Sequence, residues 1–208
     1  MAHREVFARS RLVFFIVMGL LFMLVMCKVE LPLLLGMNPQ WEQKINPYRW
    51  CLHVHAMAAT IALLVAPLQF FPEFRSRHVQ VHRILGRVYA GAVCIAAPLA
   101  IYIALLHLAP AEQWPAVAQG CLWLGTTLAA VATACNRQWV MHQIWITRSY
   151  ALTLTFIVTR MVVDILKIDV NASLGGNASL IWISSFLALV MADLLCLSLP
   201  RASQLEIA

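Results

Sequence analysis

Six long apolar runs, separated by short polar stretches, take up most of the chain. They cover Leu12–Gly36, Leu52–Phe71, Ile84–Leu108, Ala116–Cys135, Ser149–Leu166 and Leu180–Leu199. Each is near the length of about 20 residues that an α-helix needs to cross a bilayer. A membrane β-barrel would show alternating segments of about ten residues instead. Open strands cannot cross lipid, because their backbone groups would go unpaired. The pattern predicts an all-α polytopic membrane bundle of six transmembrane helices, a single integral membrane domain over residues 1–208.

Composition agrees with that reading. The 208 residues are 62% hydrophobic and only 12% charged, against about 45–50% and 25% in a soluble chain. A cytosolic enzyme, a secreted disulfide scaffold and a disordered tail are excluded. The net charge of +6 does not mark a nucleic-acid binder, because in such a chain excess Lys and Arg mark membrane-surface loops. An inside N-terminus puts ten basic residues in the cytoplasm: Arg4, Arg9, Arg11, Arg75, Arg77, Arg83, Arg87, Arg137, Arg148 and Arg201. Only Lys28, Lys44, Arg49 and Lys167 then face outward, and both termini are cytoplasmic. The first run has the basic start of a signal peptide, but it is too long and no A-x-A site follows it. It is expected to stay as an anchor.

Cys27, Cys51, Cys94, Cys121, Cys135 and Cys196 lack any C-x-x-C spacing and read as small hydrophobes. Of these, Cys27 and Cys51 both lie toward the outer side. The methionines follow the apolar pattern and read as packing. Trp41, Trp50, Trp114, Trp139 and Trp145 stand near run ends, where an aromatic belt is expected. Asn171-Ala-Ser and Asn177-Ala-Ser fit the glycosylation pattern on the outer side, although such triplets arise often by chance.

Two helix entrances match. One reads His82-Arg-Ile-Leu-Gly-Arg-Val-Tyr-Ala90, the other His142-Gln-Ile-Trp-Ile-Thr-Arg-Ser-Tyr-Ala151, with one extra residue in the second. Both enter the membrane from the cytoplasm, so spans two–three and four–five are candidates for parallel repeats. His82 and His142 would then face each other near the inner surface. Two neutral imidazoles from different helices can clamp a haem iron from both faces. Arg83, Arg87 and Arg148 would neutralise its propionates, and Tyr89 and Tyr150 would pack on the macrocycle or donate hydrogen bonds. Interfacial packing explains the same residues equally well, since His and Arg at a boundary also suit lipid headgroups. His78, four residues before His82, is a further metal-site candidate, and His3 reads as a solvated tail residue.

A second set lies outward. His53 and His55 open span two and His107 closes span three, so a second bis-His site from His55 and His107 is a candidate. Arg160 and Asp164 sit four apart inside span five and are expected to pair. With His55 they would form an outer polar pocket for a substrate, a quinone headgroup or a proton. In span six, Asp193 needs a partner from another helix. Gln69 and Glu73 read as interfacial.

The segments His55–Gln69, Arg77–Tyr89 and His142–Arg160 resemble a widespread bacterial membrane-protein family catalogued as a domain of unknown function. The likeness rests on His55, on His82-Arg83 with Gly86-Arg87 and Tyr89, and on His142, Trp145, Arg148, Tyr150, Ala151 and Arg160. It covers about two-thirds of the chain, implies a multi-pass membrane protein and supplies no reaction; the expected location is the bacterial inner membrane. In topology and His placement the chain is also similar to six-span b-type cytochromes that reduce iron or recycle ascorbate. The fourth span has no His, which departs from their two-haem pattern.

Three functions compete. One is a b-type haem oxidoreductase passing electrons from a cytoplasmic or quinone donor to an outer acceptor. Another is a haem-free transporter handling a metal or a proton. The last is an accessory or assembly subunit of a larger membrane complex. Hydrolytic and Rossmann or P-loop nucleotide motifs are absent.

Overall fold

The computed structural model describes residues 2–37, 43, 45–171 and 176–197. Trp41, Lys44, Arg201, residues 172–173 of the first glycosylation triplet and the last two residues of the sixth apolar run lie outside the described residues. So do the side chains of His3, Arg4, Arg9 and Arg11.

The architecture is an all-α polytopic bundle. Among the described residues there is no strand, and six helices are long and apolar enough to cross a membrane. Helix α1 (Ala2–Val25) runs through a π-helical turn, Met26–Glu30, into α2 (Leu31–Leu34). Helix α3 is Arg49–Val65, and a short α4 (Pro72–Arg77) precedes α5 (Val79–His107). Then come α6 (Pro110–Cys135), α7 (Trp139–Arg160) with a second π turn at Met161–Ile165, and α8 (Asn177–Leu197).

Helices α5, α6 and α7 begin five, six and ten residues before the apolar runs that predict them (Val79 against Ile84, Pro110 against Ala116, Trp139 against Ser149). The reason is physical. A spanning helix extends past the hydrocarbon with polar first turns, and hydropathy reads only the buried middle. His82 and His142 therefore lie inside helices, each the fourth residue of its own.

The chain divides into two compact units. The smaller comprises residues 1–47 and 157–169, and the larger residues 48–156 and 170–208. In the smaller unit Phe22, Val25, Glu30 and Ile157 are buried. Gly36 ends its first helical stretch in the left-handed region (φ 66), with Met37 N–H donating back to the Pro32 carbonyl. Gly is favoured there because it has no Cβ to clash.

In the larger unit α3 packs on α5 and α5 on α6. Lipid removes the hydrophobic drive between helices, so association depends on close van der Waals fit and small residues. The sequence supplies them at helical spacing. Ala58, Ala62 and Ala66 are buried at intervals of four, the last just beyond α3, and Ala92 and Ala96 repeat the spacing on α5. At the α5–α6 contact a Cβ on Gly120 would stand 2.7 Å from Ile101 Cγ1, so only glycine fits. After α6, Arg137 takes a left-handed conformation (φ 58) that reverses the chain into α7, and Gln138 N–H caps the Thr133 carbonyl.

Candidate functional site

The most distinctive polar arrangement lies at the basic end of the larger unit. His142 donates from Nδ1 to the Ala130 carbonyl of α6 at 2.8 Å. A carbonyl can only accept, so the proton sits on Nδ1 and the Nε2 lone pair is left for a ligand. Metal-binding histidines are held in this way. His82, at the equivalent position of α5, has its Nδ1 buried without a hydrogen-bond partner among the described residues. The groups acting electrostatically on its ring are Arg75, His142 and Arg83, so the two imidazoles lie within electrostatic reach of each other.

Not every expected neighbour joins them. Arg87 lies on the exposed side of α5 and is not among the charges acting on His82, whereas Arg83, also exposed, is. Arg148 instead bonds Asp193 of α8 through Nε at 2.7 Å and lies over the Trp145 ring at 4.8 Å. This gives Asp193 the cross-helix partner it requires and removes Arg148 as a free anion ligand.

The tyrosines are not available to a macrocycle either. Tyr89 is fully buried, and its hydroxyl bonds Ser149 Oγ at 2.7 Å and Thr153 Oγ1 at 3.1 Å. Tyr150 packs on Phe70 and points at the Leu63 carbonyl at 3.4 Å, a weak bond. Both roles are helix-to-helix contacts.

Tyr89 belongs to a network that hydropathy did not reveal. Trp123 Nε1 donates to Thr153 Oγ1 at 2.9 Å, and Ser149 and Thr127 share a hydrogen bond at 2.7 Å. Thr127 also donates to the Trp123 carbonyl, Thr153 to the Ser149 carbonyl, and Gln119 to Thr155. One set of donor directions runs Tyr89 to Ser149 to Thr127 to the Trp123 carbonyl, and with Thr153 donating to the Ser149 carbonyl it leaves the 3.1 Å approach of Tyr89 to Thr153 without a proton of its own. The i,i+4 pairs Trp123/Thr127 and Ser149/Thr153, polar within apolar runs, were the sequence signal for it.

At the opposite end the second bis-His site does not assemble. His55 donates from Nδ1 to the Ala96 carbonyl at 2.9 Å, whereas the His107 ring stacks on Tyr48 at 4.3 Å. Tyr48 precedes His55 by seven residues, about 10 Å along a helix. Ala96 and His107 are about 16 Å apart along α5. Ligands of one iron both lie about 2 Å from it, so the two rings serve separate contacts. His53 bonds the Arg49 carbonyl at 2.6 Å within its own helix. His78 is an exposed residue just before α5, with its ring beside Phe74 at 5.5 Å.

In the smaller unit Arg160 and Asp164 pair at 3.1 Å, as their spacing requires. Arg160 Nε also meets Glu30 Oε1 at 2.9 Å. Sequence reasoning overlooked Glu30, an acidic residue inside the first apolar run, although its position was the signal. His55 belongs to the larger unit and its Nδ1 is held there by Ala96.

Elsewhere, Gln69 packs with Oε1 3.3 Å from where a Gly86 Cβ would stand, and Glu73 is exposed in the first turn of α4. The six cysteines are free thiols. Asn177 opens α8 and donates to Glu112 at 2.9 Å. Trp50 and Trp114 are exposed, as an aromatic belt requires.

The six long apolar helices define an integral membrane protein. Residues 52–196, more than half of the chain, match the family described as "Predicted membrane protein (DUF2306)", and the chain belongs to that family. No curated protein and no solved structure matches the chain.

Proposed function

We propose that the chain is a redox protein of the bacterial inner membrane that binds one b-type haem between His82 and His142. The observation that carries this reading is the state of the two rings. His142 is locked by the Ala130 carbonyl with Nε2 unencumbered, and His82 offers a buried nitrogen that no described group occupies. Two such imidazoles on different helices suit a six-coordinate iron. The propionates fall to Arg75 and Arg83, the cations acting on His82, and not to Arg148, which Asp193 holds. Haem supplies reversible one-electron exchange between ferric and ferrous iron.

Each ring sits in the first turn of its helix, which places the site close to the membrane surface. A cytoplasmic-side donor or a membrane quinone can approach it there. The separation of His55 from His107 favours a single haem over a two-haem relay.

The test is an absorption spectrum of the purified full-length protein, oxidised and then reduced with dithionite. The expected result is a Soret band with a reduced α-band and one haem per chain. His82→Ala and His142→Ala should each abolish the spectrum, and His107→Ala should leave it unchanged. A colourless wild-type protein purified from haem-replete cells overturns the proposal.

A further inference from the structure

We infer that Glu30, Arg160 and Asp164 form a binding site for one exchangeable proton, held by Glu30. The site is independent of the histidine pair. All three residues lie within membrane-spanning stretches of the smaller unit. Glu30 closes the π turn Met26–Glu30, Asp164 lies within the π turn Met161–Ile165, and Arg160 immediately precedes the latter. Single π turns inside helices occur frequently at functional sites.

The charge arithmetic is the first observation. Two carboxylates share one guanidinium, so with both ionised the cluster carries one uncompensated negative charge. Holding such a charge away from water is strongly unfavourable, as it is for any buried ion left without a counter-charge. The other charged residues of this unit whose side chains are described, Lys28, Lys167 and Asp169, are exposed, and the charges acting on Glu30 are those of Arg160 and Asp164.

The second observation is the condition of Glu30 itself. The residue is only 5% exposed. Its Oε1 stands 2.9 Å from Arg160 Nε in an ion-pair contact that falls short of full hydrogen-bond geometry, and among the described residues no other group bonds this oxygen. A buried carboxyl that must share its one cation with a second carboxyl is suited to take a proton. A metal ion is disfavoured, because the described residues offer no group of three His, Cys, Asp or Glu side chains and the guanidinium repels it. Of the two acids, Glu30 has the less exposed side chain, 7% against 18% for Asp164. Uptake converts the Glu30 carboxylate to the acid and takes the cluster from one negative charge to neutral.

Infrared difference spectroscopy of the full-length protein in lipid nanodiscs reads this directly. At neutral pH the wild type should show a protonated-carboxyl stretching band that shifts in heavy water and disappears as pH is raised. Glu30→Gln removes the proton's carrier, and Asp164→Asn removes the excess charge that requires it. The band should therefore be lost in both variants. A wild-type spectrum without the band, or a band that persists in either variant, overturns the inference. So does a band that appears only when sodium and potassium are replaced by a large organic cation, which would assign the site to a metal cation. If a variant fails to fold, the pH titration of the wild type decides. Haem content has no bearing on any of these outcomes.

Discussion

Arg148 Nε and Asp193 Oδ1 meet at 2.7 Å and join α7 to α8 across 45 residues of sequence. Both side chains are partly exposed, at 27% and 46%, so the pair belongs with modest interhelical polar contacts. Asp193→Asn should lower stability by about 1 kcal/mol. Arg148→Gln in the same background should add little beyond its own effect on Trp145. A double-mutant cycle by thermal unfolding in detergent checks the coupling.

Removing the Tyr89 hydroxyl leaves the rest of the donor chain intact, since Ser149 still donates to Thr127. Tyr89→Phe should therefore cost only about 1 kcal/mol. Thr153→Val strands the Trp123 N–H in a buried position and should cost about 1–3 kcal/mol. Chemical denaturation of both variants in one detergent tests the order, and equal losses would contradict the assigned donor directions.

At the α5–α6 contact, Gly120→Ala places a methyl group 2.7 Å from Ile101 Cγ1. Overpacking of this kind should cost about 1–3 kcal/mol. Shortening the neighbour with Ile101→Val should not relieve it, because valine keeps a γ carbon, whereas Ile101→Ala should. Thermal unfolding of the single and double variants distinguishes the two.

Arg137 adopts a left-handed conformation that suits glycine better. Arg137→Gly should raise stability by up to about 1 kcal/mol. The gain should appear in the melting temperature and leave any visible absorption spectrum unaltered.

His107 contributes a ring and no hydrogen bond that its stacking on Tyr48 requires. His107→Phe should keep most of the stability and His107→Ala should lose about 0.5–1.5 kcal/mol. Unfolding of the two variants side by side tests whether the residue acts as an aromatic spacer.

Much of the bundle was legible because lipid imposes a coarse rule. Each apolar run of about 20 residues became a helix, and Arg160 found Asp164 at the spacing that puts both on one face. Helix starts were less legible, since Trp139 to Arg148 is polar enough to read as loop although it is helical. The matching positions of His82 and His142 were visible as a repeated motif. The anchor of His142 was not, because the Ala130 carbonyl that fixes it belongs to the backbone and leaves no mark in residue identity. The tyrosines misled for a related reason. A conspicuous aromatic beside a histidine suggests a cofactor wall, whereas the partners that claim Tyr89 are Ser149 and Thr153, ordinary residues on another helix.

The two π turns also govern how the first and fifth spans can vary. A π turn holds one residue more than the α turn it replaces, which rotates everything beyond it by about 100° relative to an uninterrupted helix. Leu31–Leu34 therefore presents its side chains in a different angular phase from Ala2–Val25. Deleting a single residue within Met26–Glu30 would restore a regular helix and turn the Glu30 carboxylate away from Arg160. The charged cluster is thus specified by chain length at two positions as well as by residue type, and a variant that preserves all three side chains can still dismantle it.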